Sequence, residues 1–205
     1  MRNPKQKRSA ESLEKVIQSA EKILRSHSLD DLTVAKLVED SGVSVGAIYA
    51  RFADKEGIFQ ELVSRFMRHT LREFEKIDSG QWADMALPAA IDKIVSTNAD
   101  IYFTHRGVLR ALILRIKLTR DLDIQKALGA YSRKVGTDLL TLLQVHVDQI
   151  EHADPTEAIN VSIEAMTSML RDYIILSEAD TFDARGVKRT QSLIKRYLQP
   201  SQYTL

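Results

Sequence analysis

The chain of 205 residues contains no cysteine, which excludes a disulfide framework and any chemistry that depends on a thiolate. No hydrophobic run approaches the roughly 18 residues that a membrane-spanning helix needs. The N-terminus also lacks the order of charged, apolar and small residues that defines a signal peptide. We therefore expect a cytoplasmic protein that has no membrane partner.

The sequence motifs of common enzyme classes are missing as well. There is no phosphate-binding loop, no His-Glu-x-x-His, no Glu-x-x-His of a di-iron bundle and no Gly-x-Ser-x-Gly turn. His105 has no second histidine, carboxylate or cysteine at a spacing that favours a metal site. We expect no enzymatic activity, no metal and no cofactor.

Hydrophobic residues make up 44% of the chain, enough for a substantial buried core. They recur at three- and four-residue steps, and no useful length of β-alternation appears. The pattern predicts an all-α protein of about nine helices. Capping and breaking residues predict helix boundaries at Asp54, Asp78-Ser79-Gly80, Pro88, Arg106-Gly107, Asp121, Asp154-Pro155 and Pro200.

Residues 33–55 have the pattern of a helix-turn-helix unit. Thr33 is a predicted N-cap for a short amphipathic helix. Gly42 permits the left-handed backbone that ends this helix, and Val43 can fill the angle between it and the next one. A longer amphipathic helix from Ser9 is expected to complete a three-helix module.

The second helix of this unit has one predicted buried side and one side free for DNA. Ile48 and Phe52, four residues apart, are expected to face the core. The other side lacks bulk, as a helix that enters the major groove requires. The predicted DNA-facing residues are Ser44, Val45, Gly46, Ala47, Tyr49, Ala50 and Arg51.

Several side chains of the unit are predicted to contact phosphate. Tyr49 can donate from the groove edge, the alternative being a buried phenol. Thr33 and Lys55 stand at helix starts, where free N–H groups bind phosphate; the alternatives are plain capping and solvation. Arg51 has three interpretations, namely a guanine pair, a phosphate contact or exposure to solvent.

The N-terminal arm is basic, because Arg2, Lys5, Lys7 and Arg8 precede the first acid, Glu11. Such a run is either a solvated terminus or a nucleic-acid contact. The sequence leaves both interpretations open.

The run from Thr33 to Glu56 resembles the DNA-binding signature of the tetracycline-repressor (TetR) family of bacterial transcriptional regulators. The resemblance includes the Gly-Val-Ser turn, Tyr49, Phe52 and the Lys55 helix start, and it covers roughly residues 9–63. Many relatives carry lysine and threonine where this chain has Val45 and Ala47. This departure favours methyl contacts, Arg51 and DNA shape over hydrogen-bond readout.

The resemblance implies a dimeric repressor of a palindromic operator on double-stranded DNA. Residues 1–55 would form the DNA-binding domain with its basic arm. Residues 56–205 would form an all-helical domain that binds a small effector and dimerises through its last two helices. Effector binding would shift the two DNA-reading heads and release the operator.

Dimerisation is also favoured by Ala158, Ser162 and Ala165, small residues that could let the penultimate helix pack on its own copy; the alternative is an intramolecular core helix. The effector candidates are polar or aromatic residues on apolar central helices. Arg115 weakly indicates an anionic ligand; the alternatives are an ion pair with a neighbouring acid and simple exposure to solvent. The candidates are Asn98, Tyr102, His105, Arg115, Tyr131 and Asp138.

Two other functions remain open at the level of sequence. One is an architectural or division-linked DNA-binding protein without an effector. The other is a helical protein-interaction scaffold, which would explain the helices but not the composition of residues 41–55.

Overall fold

A computed structural model describes residues 4–75, 82–119, 121–175 and 184–203. None of the residues in these ranges lies in a β-strand, and the predicted all-α fold of about nine helices is confirmed. The helices are α1 (Pro4–Ser26), α2 (Val34–Ser41), α3 (Val45–Tyr49), α4 (Lys55–Glu75), α5 (Leu87–Thr104), α6 (Arg106–Thr119), α7 (Leu122–Gln144), α8 (Pro155–Leu170) and α9 (Ala184–Leu198).

The chain folds into two compact units, each built from two stretches of sequence. The first unit comprises residues 1–68 and 105–119, and the second comprises residues 69–104 and 120–205. Helix α6 therefore belongs to the same unit as α1–α3. The predicted boundary at residue 55, between a DNA-binding domain and an effector and dimerisation domain, stays a prediction.

The core of the first unit forms around the apolar face of α1. Val16, Ile17, Ala20 and Leu24 are at most 1% exposed, as their helical spacing predicts. Helices α2, α3 and α6 pack on this helix. Buried side chains elsewhere in the unit include Leu37, Ile48, Phe52, Ile58, Phe59, Leu62, Phe66, Val108 and Leu112.

Gly107 lies inside α6, where α1 and α6 approach closely. A Cβ atom at this position would lie 2.4 Å from the backbone oxygen of Leu24. Helix α5 ends at Thr104, near the predicted break at Arg106-Gly107. However, the glycine permits helix packing and does not end a helix.

In the second unit α8 and α9 pack on each other, and both contact α5. Asp121 caps α7 through the N–H groups of Asp123 and Ile124. Asp154 caps α8, with Pro155 as its first residue, as predicted. Lys195 on α9 pairs with Asp92 on α5 at 2.6 Å.

Helix α8 continues into a π-helical segment, Arg171–Ile175. The predicted loop Asp78-Ser79-Gly80 lies outside the described residues. Among the described helices, none is long and apolar enough to cross a membrane.

Candidate nucleic-acid interface and effector sites

The turn between α2 and α3 has the geometry that its sequence predicts. Gly42 has φ 67°, in the left-handed region, and its N–H donates to the Val38 carbonyl at 3.0 Å. Val43 is 8% exposed and lies between the two helices. The Ser41 hydroxyl donates to the Leu37 carbonyl at 2.5 Å and accepts from the Val43 N–H at 3.2 Å. These bonds fix the angle at which α3 is presented.

Helix α3 has a buried side and an exposed side. Ile48 is 1% exposed, and Phe52, three residues after the end of α3, is 9% exposed, so both predicted core positions are confirmed. On the other side Val45 is 48% and Tyr49 53% exposed. Exposed large apolar side chains on so short a helix form a surface suited to contact with a partner.

The small residues around Val45 and Tyr49 leave room for a close approach. Ser44 caps α3 through the Ala47 N–H at 3.3 Å. A Cβ atom at Gly46 would meet nothing within 4 Å. Ala50 is exposed and Ala47 half-buried. A nucleic-acid groove could therefore come close to the backbone of this helix.

Thr33 and Lys55 occupy the helix starts where the sequence predicts them. The Thr33 hydroxyl accepts from the Lys36 N–H at 3.3 Å, so it caps α2. Lys55 is the first residue of α4, and its ammonium lies 3.4 Å from an Asp30 carboxylate that is 98% exposed. A pair this open to solvent contributes little stability, so Lys55 can turn to a phosphate at small cost.

Lys36 is a cation near the α2 start that sequence reasoning missed. Its ammonium lies 3.1 Å from an Asp31 carboxylate oxygen. Hydrogen bonds from the Ser28 hydroxyl, from Lys36 and from the Ser28 N–H lower the pKa of Asp31 to about 2. Asp31 thus stays ionised and holds the turn between α1 and α2.

The structure gives Arg51 a partner that none of its three predicted interpretations includes. Its Nη2 donates to both the backbone oxygen and the hydroxyl of Ser9 in α1. The contact spans 42 positions of sequence, and no local pattern could have signalled it.

The six predicted effector residues are divided between the two units, with His105 and Arg115 in the first and the other four in the second. The His105 ring stacks edge-on against Phe66 with the centroids 5.3 Å apart. Arg115 pairs with Glu56 at 2.5 Å and lies over the Phe59 ring. The ion pair with an acid, one of the alternatives for Arg115, is the arrangement found.

The other four candidates lie in the second unit, and two of them form local contacts on their own helices. Asn98 is 3% exposed and its Nδ2 donates to the Ile94 carbonyl at 2.9 Å. Asp138 pairs with Lys134 one turn away, with the Asp138 side chain 23% exposed.

Tyr102 and Tyr131 are brought together with two further polar residues. Tyr131 hydrogen-bonds to Thr70, which is 1% exposed, and the two phenols influence each other electrostatically. Burial raises the pKa of Tyr131, and the Thr70 bond acts against this. Burial also raises the pKa of Tyr102, with the charge of Arg171 acting the other way. Both phenols stay neutral and can donate to an acceptor group.

A small apolar pocket lies elsewhere in the second unit. It has room for about one water molecule, far less than the roughly 300–1,000 Å³ of most small-molecule sites. The Ser162 hydroxyl at its wall already donates to the Ala158 carbonyl at 2.8 Å. None of the predicted effector residues lines it. The lining residues are Ile91, Ile94, Val95, Leu143, Ser162, Ile163, Met166 and Ile194.

Residues 16–62 match the family model of the bacterial regulatory proteins of the tetR family. The chain is 25% identical over 180 residues to the HTH-type transcriptional repressor AcnR of Corynebacterium glutamicum, a match that covers 78% of this chain and 93% of the relative. The matched family segment contains α2, α3 and the turn between them.

Two solved structures share the fold. A chain from Mesorhizobium loti assigned to the TetR family has a TM-score of 0.71 at 14% identity, covering 93% of this chain and 96% of that one. The TetR-family regulator PfmR of Thermus thermophilus has a TM-score of 0.62 at 16% identity, covering 89% and 96%. The helix-turn-helix geometry and the family match agree: residues 16–62 form a helix-turn-helix region of the tetR family type, and the chain is similar to DNA-binding transcriptional regulators of that family.

Proposed function

We propose that the chain is a cytoplasmic, homodimeric repressor that binds a pseudo-palindromic operator and leaves it when a small effector binds. The observation that carries the proposal is the exposed face of α3, with Val45 and Tyr49 about half exposed opposite a fully buried Ile48. A relative at 25% identity carries the name of a transcriptional repressor. Repression is accordingly the sign of regulation that we propose.

The DNA contacts fall into two groups. Val45, Ala47 and Ala50 offer methyl groups to base edges, with Ser44 and Gly46 allowing the close approach that this needs. Thr33, Tyr49 and Lys55 hold phosphates and set the position of α3 in the groove. Residues 1–55 are the proposed DNA-binding domain, and residues 56–205 the proposed effector and dimerisation domain.

Dimerisation is proposed through α8 and α9, but not through Ala158 and Ser162, two of the three small residues that the sequence suggested. Ala158 is 0% and Ser162 2% exposed within the unit, so both are used in the core of the protomer. The faces available to a second copy carry charge of opposite sign on the two helices. The exposed residues include Glu157, Val161, Glu164 and Ser168 on α8, and Lys188, Arg189, Leu193, Arg196 and Tyr197 on α9.

Effector binding is proposed in the second unit, at the cluster of Tyr102, Tyr131, Thr70 and Arg171. Two neutral phenols favour a ligand with a hydrogen-bond acceptor, such as a carbonyl or carboxylate oxygen. Arg171 adds a positive charge at the point where α8 widens into its π-helical segment. Such segments are frequent at functional sites. The six predicted effector residues as a set stay a prediction.

The experiment is a binding titration by fluorescence anisotropy. One duplex is selected from a random library by the full chain, and the other has unrelated sequence. We expect sequence-preferring binding that weakens as salt rises, because phosphate contacts release counterions. Tyr49→Ala should weaken binding to both duplexes alike, since a phosphate contact reads no sequence.

Tyr203→Ala is the matched control, since Tyr203 lies beyond the end of α9. This variant should bind as the unaltered chain does. Equal affinity for the two duplexes at every salt concentration would contradict the proposed operator binding. Unchanged binding by Tyr49→Ala would remove the phosphate role of that residue alone.

A further inference from the structure

Arg51 ties the end of the helix-turn-helix unit to the beginning of α1. It lies two residues after Tyr49, the last residue of α3. Its guanidinium donates to two acceptors on Ser9, one in the backbone and one in the side chain. Because both acceptors belong to one residue, the contact fixes the position of Ser9 more firmly than a single bond would.

The part of α1 that Arg51 holds has little other anchoring. Residues 8–11 are all exposed, and among the described side chains of α1 the first buried one is Val16. Terminal turns without buried contacts open easily. The Arg51 contacts therefore decide how often the first described turns of α1 are formed and where they lie.

The same turns carry positive charge. Lys5, Lys7 and Arg8 precede the first acid, Glu11, and the first turn of α1 contains no acidic residue. Cations near a helix N-terminus oppose the helix dipole, so this arrangement costs stability in the free protein. Nearby DNA phosphates would turn that cost into an attraction.

We propose that Arg51 is a positioning residue, which holds the basic start of α1 beside the DNA-reading helix so that Arg8 contacts the DNA backbone. Arg51 acts through Ser9 and reads no base itself. The inference rests on the proposed DNA contact of α3, since α3 brings the phosphates within reach. It assigns Arg8, at the basic start of α1, to DNA rather than to solvent.

A double-mutant cycle separates this role from a direct DNA contact by Arg51. The variants are Arg51→Ala, Arg8→Ala and the pair, measured on the duplex that the full chain selects. Each single variant should weaken binding and lower the slope of affinity against salt by about one per subunit. The pair should be little worse than either single change, with a coupling of at least roughly threefold.

Two further measurements test the positioning itself. In free protein, Arg51→Ala should speed amide hydrogen exchange in residues 8–13. In DNA-binding assays, the same variant should leave the order of preference among base-pair variants of the duplex unchanged. Arg51→Lys should restore part of the affinity, because lysine can still donate to Ser9. Ser9→Ala should have a smaller effect in the same direction, since the backbone acceptor remains. Lys15→Ala, an exposed change on the same helix, is the control.

Three results would overturn the inference. If the fold-losses of DNA affinity in Arg51→Ala and Arg8→Ala multiply in the double variant, the two arginines make independent contacts. An altered base preference in Arg51→Ala would show that Arg51 reads bases directly. Unchanged hydrogen exchange in Arg51→Ala would show that Arg51 does not hold the helix start. In these cases the proposed function stands as long as the unaltered chain prefers its selected duplex. Failure of the unaltered chain to bind that duplex would remove both proposals.

Discussion

His146 is a buried ionisable residue of the second unit that the DNA-binding role does not use. It is 1% exposed, and its Nδ1 lies 3.4 Å from the amide nitrogen of Gln149. Burial lowers the pKa of its ring, with a backbone hydrogen bond to Trp82 acting the other way. The folded protein therefore holds this imidazole in its neutral form at pH values where an unfolded chain would take up a proton.

Stability of the second unit should consequently fall as the pH drops below about 6.5, the ordinary pKa of histidine. Below that value the unfolded chain binds a proton that the folded chain does not, which favours unfolding. The loss approaches roughly 1.4 kcal/mol per pH unit while the folded ring stays neutral. Urea unfolding followed by fluorescence measures it, because the single tryptophan, Trp82, is 2% exposed in the same unit.

The variant His146→Gln keeps an amide for hydrogen bonding and removes the titration. It should flatten the pH dependence between about pH 5 and 7, whatever it does to stability at neutral pH. His27→Gln, at an exposed position, is the control and should keep the dependence of the unaltered chain. An equal pH dependence in both variants would show that His146 is not the group responsible.

Residue roles were predictable where the partner is close in sequence. The caps Thr33, Asp121 and Asp154 and the left-handed Gly42 each depend on groups within four positions, so residue type and spacing suffice. The partner of Arg51 is 42 positions away and depends on how α1 packs.

At the scale of whole elements, the contact of α1 with α6 depends on one glycine. The missing side chain of Gly107 lets the two helix backbones approach, with the Leu24 oxygen 2.4 Å from where a Cβ would lie. No side-chain movement can relieve such an overlap, because the atoms concerned belong to the backbone. The packing of α6 within the first unit is therefore intolerant of any other residue at this position.

Gly107→Ala should destabilise the first unit by up to roughly 2 kcal/mol, because overpacking a core costs roughly 1–3 kcal/mol and alanine in a helix offsets about 1 kcal/mol of this. Gly136→Ala in α7 is the matched control, since a Cβ there meets nothing within 4 Å, and it should stabilise by roughly 0.5–1 kcal/mol. Urea unfolding followed by helical circular dichroism checks both. Equal stability gains in the two variants would refute the steric argument.

Elements were easier to predict than their ends. The spacing of apolar residues identified α3 and the two core residues Ile48 and Phe52, because the helical period decides which side of a helix is apolar. The change from α-helix to π-helix at Arg171 has no such signal in the sequence. A glycine inside α6 was taken for a helix end because the sequence does not reveal which helix lies opposite.

For the whole molecule, the charges on α8 and α9 favour a two-fold pair. The exposed face of α8 carries Glu157 and Glu164, whereas that of α9 carries Arg189 and Arg196. In a two-fold interface each acidic α8 can face the basic α9 of the other copy, so every contact occurs twice. Val161, Leu193 and Tyr197, at 38%, 49% and 37% exposed, supply apolar surface between the charges.

Charge reversal on either helix should therefore dissociate the dimer, and a mixture should restore it. Glu157→Lys with Glu164→Lys makes both faces basic, and Arg189→Glu with Arg196→Glu makes both acidic, so each variant repels its own copy. Mixed together, the two variants attract at both contacts and should form a heterodimer. Sedimentation at micromolar concentration measures the three states. Persistence of dimers in both separate variants would exclude this interface, as would a monomeric unaltered chain at that concentration.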